Sequence, residues 1–234
     1  MFSPNHGLVR QNDMLDALES SYASVLVASR DKKDEVAPVV DDTLFKVDLD
    51  LIEDGQEISR VKKFYNDTKG SHSDVQHYDV RRVFRLDIHH MTEAFNAKAA
   101  KMSNIWQLWH GSKASNMLSI LKVGMIVPPA GAPHVTARMF GDGLYFSDQS
   151  TKSIRYATGA WGGGGKMDRK FMFFCKVAMG NYHTPSGQIK KIPAGHDSCY
   201  AKAGVSGVMN NEMIVFKTYQ ACPVRLVEFT PYGK

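Results

Sequence analysis

No apolar run in the 234-residue sequence approaches the ~20 residues that a membrane-crossing helix needs. Its first residues, Met1 to His6, have neither the basic start nor the apolar centre of a secretion signal. A soluble, intracellular protein with no membrane partner is therefore expected. Cysteine is scarce: Cys175, Cys199 and Cys222 are odd in number and widely spaced, which disfavours both a disulfide framework and a C-x-x-C zinc site. They are expected to be reduced thiols, and no metal is predicted. His72, His77, His89 and His90 lack the spacing of a zinc protease and read as surface or capping residues.

Other familiar sites are missing too. Gly162 to Gly165 followed by Lys166 mimic a phosphate loop, but Ala160 stands where the leading glycine is required and Met167 where serine or threonine is required. No G-x-G-x-x-G opens a helix after a strand, and no serine sits in a G-x-S-x-G elbow. The net charge of +5 admits a polyanionic partner. Its clusters, Lys32-Lys33, Lys62-Lys63, Arg81-Arg82 and Lys190-Lys191, are dispersed, however, and read as solvated surface.

What is present is the pattern of one mixed α and β unit. Leu15, Leu18, Tyr22, Val25 and Leu26 share a helical face after Asn12, predicting a helix over about 13–28 that needs something to pack on. Ser29 to Asp42 reads as a linker, Leu44 to Leu51 as a strand, and Ile58, Val61, Phe64 and Tyr65 as a second helix. Residues 81–88 alternate, with Phe84, Leu86 and Ile88 on the buried face. Met91 to Met102 suits a helix. A short helix over 115–122 is expected to bury Leu118, Ile120 and Leu121 and to stop at Gly124. Pro128, Pro129 and Pro133 force a loop, placed as a candidate lid. Strands are expected before Phe146, over 171–179, at 213–216 and at 224–229, with a helix from Ser150 or Thr151 to about Gly159.

The strand 105–110 ends in His110-Gly111-Ser112. Leu108 and Trp109 read as buried, His110 as the first polar group beyond them, and Gly111 as bare backbone that a ligand can approach. Taken alone, such a histidine is more often structural than a ligand. Two later segments complement it: Tyr145 with Ser153 and Tyr156, and Asn210-Asn211-Glu212 at the head of a strand.

Together these segments resemble the catalytic domain of the poly(ADP-ribose) polymerase family, the diphtheria-toxin-like ADP-ribosyltransferases whose signature is His, Tyr, Glu in that order, here His110, Tyr145 and Glu212. Phe64 to Thr68 with His72, Trp106 to Ser112, Ser119 to Gly124, Pro128 to Phe146, Thr151 to Tyr156, Val177 to Asn181, Ile192 to Ser198 and Asn211 to Phe216 all fall in family order. The likeness implies an α+β ADP-ribosyltransferase fold of two packed antiparallel or mixed sheets flanked by short helices. The catalytic domain would span 44–234. Residues 1–43 would be an N-terminal helix and linker, with Met14 to Leu18 similar to the last helix of the family's regulatory helical domain. That helix is too small to be a full regulatory domain, and activity without a DNA trigger is expected.

The resemblance also implies the chemistry. NAD+ would be the substrate, and ADP-ribose would pass to a protein side chain. Tyr145 and Tyr156 would sandwich the nicotinamide, with Gly111 and Ser153 holding its carboxamide. His110, Ser112 and Asn116 would hold the adenosine side, and Phe146 and Lys152 would also help bind the dinucleotide. Glu212 would take the 2′-hydroxyl of the nicotinamide ribose. A glutamate at this position permits polymer elongation. The chain departs from the family at Met125, where many members have arginine, and between Ala203 and Asn210, where it is shorter than the DNA-activated enzymes. Two other readings remain: a transferase acting on DNA or RNA, and a non-catalytic NAD or ADP-ribose-binding module. A monomer is expected.

Overall fold

In the computed structural model, residues 45–129, 138–158 and 169–232 are described. The expected helix over 13–28, the middle of the proline loop and the glycine run 162–165 fall outside them.

Five antiparallel strands form the larger sheet: β1 (Val47–Leu51), β2 (Tyr78–Ile88), β3 (Ile105–Gly111), β5 (Lys170–Ala178) and β9 (Ala221–Pro231), in the order β1-β2-β9-β5-β3. The smaller sheet runs β4 (Leu144–Phe146), β8 (Glu212–Val215), β7 (Ser198–Ala201) and β6 (Tyr182–His183), with β6 and β7 parallel and the remaining pairs antiparallel. The expected pair of antiparallel and mixed sheets is therefore what the chain forms. Four α-helices flank them among the described residues: α1 (Gly55–Asp67), α2 (His89–Lys98), α3 (Met117–Val123) and α4 (Ser150–Thr158).

The larger sheet is packed on both faces. Between the sheets lies the principal core, with Leu86, Ile88, Leu108, Phe173 and Leu226 from one side and Leu144, Phe146, Met213 and Val215 from the other. The opposite face of the larger sheet packs Val80, Val83, Trp109, Met172 and Phe229 against Val61 and Tyr65 of α1 and Ile154 of α4. This arrangement corrects the half-buried reading of β2. Val83, expected on the open side, is fully buried, because the sheet is a middle layer and a bulge between Val80 and Arg82 resets the alternation.

Local chemistry accounts for the boundaries. Asp54 caps α1 by accepting the Gln56 N–H at 2.8 Å, Val61 and Tyr65 fall one turn apart on its buried stripe, and the Thr68 hydroxyl closes the other end on the Phe64 carbonyl at 2.7 Å. Gly124, at φ 81°, ends α3. That helix buries Leu121 and packs Ile120 on the core as expected, but Met117 goes inward in place of Leu118, which is 69% exposed. At the outer edge, β1 leaves Leu49 and Leu51 exposed, since only β2 flanks it. Strands β6 and β7 were not anticipated from the sequence.

Candidate active site

β3 is the edge of the larger sheet opposite β1, and there the two sheets touch through main-chain hydrogen bonds between Trp109 and Ser147, at 2.9 and 3.0 Å. Main-chain groups alternate sides along a strand, so the N–H and C=O of Gly111, two residues on, point to the Ser147 side just past that bridge. A side chain has no room here. A Cβ on Gly111 would lie 1.8 Å from the Ser153 carbonyl oxygen, so glycine is what lets α4 abut the strand.

His110 is held by the same junction. Its Nδ1 lies 2.9 Å from the Tyr145 carbonyl oxygen, which places the ring proton on Nδ1 and leaves Nε2 as an acceptor. Burial lowers its pKa, with the bond to Tyr145 pulling the other way, so the ring is biased to the neutral form. Phe146 packs into the intersheet core with its ring 5.4 Å from that of His110, so its side chain backs the histidine. Ser112 and Asn116 are joined to each other, the amide donating to the Ser112 hydroxyl at 3.1 Å.

α4 is locked to the end of α1. The Ser150 N–H and hydroxyl donate to the Thr68 and Tyr65 carbonyls at 2.9 and 2.8 Å, and the buried Thr151 hydroxyl accepts the Gly70 N–H at 2.8 Å. From this fixed start, Ser153 turns toward β3 and donates its hydroxyl to the Trp109 carbonyl at 3.2 Å. Its proton is thereby engaged, and the oxygen is left to accept from a ligand.

Tyr145 and Glu212 share a face of the smaller sheet. Tyr145 pairs with Ile214 across β4 and β8, Glu212 lies two residues from Ile214, and side chains two apart point the same way, so the two are diagonal neighbours. The electrostatics agree. Burial and then the Glu212 carboxylate push the Tyr145 phenol up to about 12, against the opposing bond from Phe140, and burial and then Glu212 likewise raise Tyr156 on α4. The Tyr145 hydroxyl is committed on both sides, donating to Gly141 at 2.9 Å and accepting the Phe140 N–H at 3.1 Å, which fixes the ring. Lys152 donates to Glu212 Oε1 at 2.6 Å and to the Asn211 carbonyl at 3.3 Å; the lysine and glutamate side chains are 13% and 17% exposed. An ion pair this enclosed is hydrogen-bonded into place instead of averaging over solvent.

The tertiary structure therefore brings His110, Tyr145, Tyr156, Lys152 and Glu212 together, with Gly111 and Ser153 at the floor. It also fixes the two residues before Glu212 and adds one that the sequence places among surface histidines. The Asn211 side chain accepts the Ala203 N–H at 2.9 Å and donates to Asp148 at 2.7 Å, while Asn210 meets His72 Nε2 at 3.3 Å. His72 was grouped with surface histidines; its one sequence signal was its place just after Phe64 to Thr68 in the family order. Among the described residues, one group could gather a metal: Asp48, Asp87 and His89, whose ligand atoms lie within 4.8 Å of one another on the β1–β2 side, across the sheet from β3.

The model of the poly(ADP-ribose) polymerase catalytic domain matches residues 55–218. Poly [ADP-ribose] polymerase 2 of Zea mays is 36% identical over 130 residues, 55% of this chain and 19% of that protein. Poly [ADP-ribose] polymerase 1 of Xenopus laevis is 32% identical over 158 residues, 65% of this chain and 15% of the relative. Protein mono-ADP-ribosyltransferase PARP4 of Mus musculus is 28% identical over 190 residues, 76% of this chain and 9% of that protein. The chain spans a fifth or less of these relatives.

Proposed function

The chain belongs to the poly(ADP-ribose) polymerase catalytic-domain family, and from that premise we propose that it is an NAD+ ADP-ribosyltransferase with Glu212 as its catalytic carboxylate. The observation that carries this reading is the placement of a carboxylate, held by Lys152 at 2.6 Å, on the same sheet face as Tyr145 and near Tyr156, two half-buried phenols kept neutral by burial first and by its charge second.

The nicotinamide ring lies between Tyr145 and Tyr156, and its carboxamide pairs with the Gly111 main chain while the Ser153 oxygen accepts from the amide nitrogen. Neutral His110 accepts a ribose hydroxyl proton at Nε2 on the adenosine side, next to Ser112 and Asn116. Glu212 accepts from the 2′-hydroxyl of the other ribose. As the bond from C1′ to nitrogen breaks, nicotinamide leaves with the electron pair, and the oxocarbenium-like sugar is stabilised by the nearby carboxylate. A carboxylate of a protein acceptor then closes on C1′ directly, or a hydroxyl does so with its proton passing to Glu212. Lys152 keeps Glu212 anchored and aimed. Relatives named for both polymer and single-unit transfer match this chain, and the glutamate permits elongation.

The test is nicotinamide release from labelled NAD+. A positioned transition-state interaction of this kind is worth about 3–4 kcal/mol, so Glu212→Gln is expected to cut turnover roughly a hundredfold or more. Turnover near that of the wild type in the variant overturns the assignment. Separate protein, DNA and RNA acceptors in the same assay identify what is modified.

A further inference from the structure

A carboxylate stabilises a developing positive charge well only where it is held still, because a displacement of about 1 Å in a catalytic group can cost on the order of a hundredfold in rate. The chain on the two sides of Glu212 is not held alike. On one side β8 begins, and its ladder to β4 and β7 fixes the residues that follow. On the other side comes the loop ending in Met209, Asn210 and Asn211, where Met209 is 92% exposed. That loop owes its position to side-chain ties. Asn211 is tied to Asp148, Ala203 and Lys152, and Asn210 to His72, which comes from the distant segment between α1 and β2.

His72 sits in a chain of hydrogen bonds that suits only one state of its ring. The Asn210 amide nitrogen, 3.3 Å from Nε2, needs an acceptor there. The proton is then on Nδ1, 3.2 Å from the Thr151 hydroxyl oxygen, which also receives the Gly70 N–H at 2.8 Å. A neutral imidazole satisfies all of these groups at once. A second ring proton sets N–H against N–H at Asn210, and the amide must turn or withdraw.

The surroundings favour the neutral state. Burial is the leading cause, and Arg155 and Lys152 on α4 add to it; Asp74, on the 3₁₀ turn beyond His72, acts in the opposite sense but is paired with Arg155 at 3.1 Å. Thr151 and Asn210, the other groups that meet the ring, carry no charge.

We propose that His72 is a positioning residue for Glu212: its neutral ring ties Asn210, and through the main chain of 210–212 the carboxylate, to the start of α4, and proton uptake breaks that bond as it stands. The proposal rests on the reading of Glu212 as the catalytic carboxylate. His72 needs no contact with NAD+ for this. The tie makes turnover fall on the acid side as the loop loosens, with binding of the dinucleotide little affected.

The experiment compares H72F, H72Q and N210A with the wild type and with E212Q. Loss of one positioning hydrogen bond is expected to lower kcat for nicotinamide release about tenfold in H72F and N210A, with KM for NAD+ within about twofold. H72Q puts an untitratable acceptor near the position of Nε2; it restores most of kcat and moves the acid limb of the kcat profile to lower pH. Amide hydrogen exchange across 206–212 quickens in H72F and N210A and not in H72Q. Should H72F not fold, N210A breaks the same tie from its other end.

Full kcat with unchanged exchange in the folded variants overturns the proposal, as does an equal loss in H72F and H72Q, which is what a merely structural histidine would give. An inactive E212Q beside a fully active H72F defeats the proposal alone. Turnover undiminished in E212Q removes the reading of Glu212, and with it any catalytic consequence of the tie.

Discussion

At Gly111 the packing of α4 on β3 depends on one missing atom. A methyl group there would meet main chain, the Ser153 carbonyl oxygen at 1.8 Å, and main chain at the start of a locked helix cannot swing aside as a side-chain tip can. Gly111→Ala is expected to lower the unfolding free energy by about 2–3 kcal/mol, as overpacking does, and to abolish nicotinamide release. Denaturant titration and the turnover assay measure the two effects, and stability equal to the wild type would show that β3 and α4 are not pressed together. The sequence indicated that a ligand approaches bare backbone at this glycine. It held no sign that α4 presses on the same spot, because Ser153 comes near only after two sheets have formed. His72 makes the same point. A histidine in a turn carries no mark of its partner, and here the partner, Asn210, is 138 residues away.

Helices as short as α3 show where periodicity runs out. Over the seven residues Met117–Val123, either Leu118 with Leu121 or Met117 with Leu121 can form an inward pair, and propensity does not choose between them. The packing chooses, with Met117 and Leu121 joining Met91 and Met125 in the intersheet core. Leu121→Ala is therefore expected to cost about 2–4 kcal/mol, and Leu118→Ala less than about 0.5 kcal/mol, in thermal or chemical unfolding. Equal costs would mean the helix faces the other way. Long strands, β2 by its alternation and β5 by its apolar run, are legible in the sequence. The strands Tyr182–His183 and Ser198–Ala201 are not, since two and four residues hold too little pattern, and pairing with neighbours is what makes them strands.

The whole molecule should respond to acid through its two enclosed imidazoles. His72 and His110 both have pKa values lowered in the folded protein, burial being the main cause in each. Below the ordinary histidine value of about 6.5, the unfolded chain takes up protons at these positions that the folded chain still refuses. Stability contributed by the two rings is therefore complete above that pH and declines as pH falls toward the lowered folded values. Urea melts at about pH 7.5 and 5.5 should show a lower unfolding free energy in acid, and replacing both histidines with phenylalanine should shrink the difference. An unchanged difference would place its origin in other groups.

The α+β class, most of the long elements, and a His, a Tyr and a Glu in the family order are already present in the amino-acid order, because side-chain period and local motifs are properties of short stretches. How those three meet is a product of folding. The Tyr145 carbonyl holds His110 across 35 residues of chain, Lys152 holds Glu212 across 60, and strand register puts Tyr145 and Glu212 on one face. The physical reason is that register and sheet contact arise from pairing between distant strands, and a shift of one residue would turn that phenol or carboxylate to the opposite face.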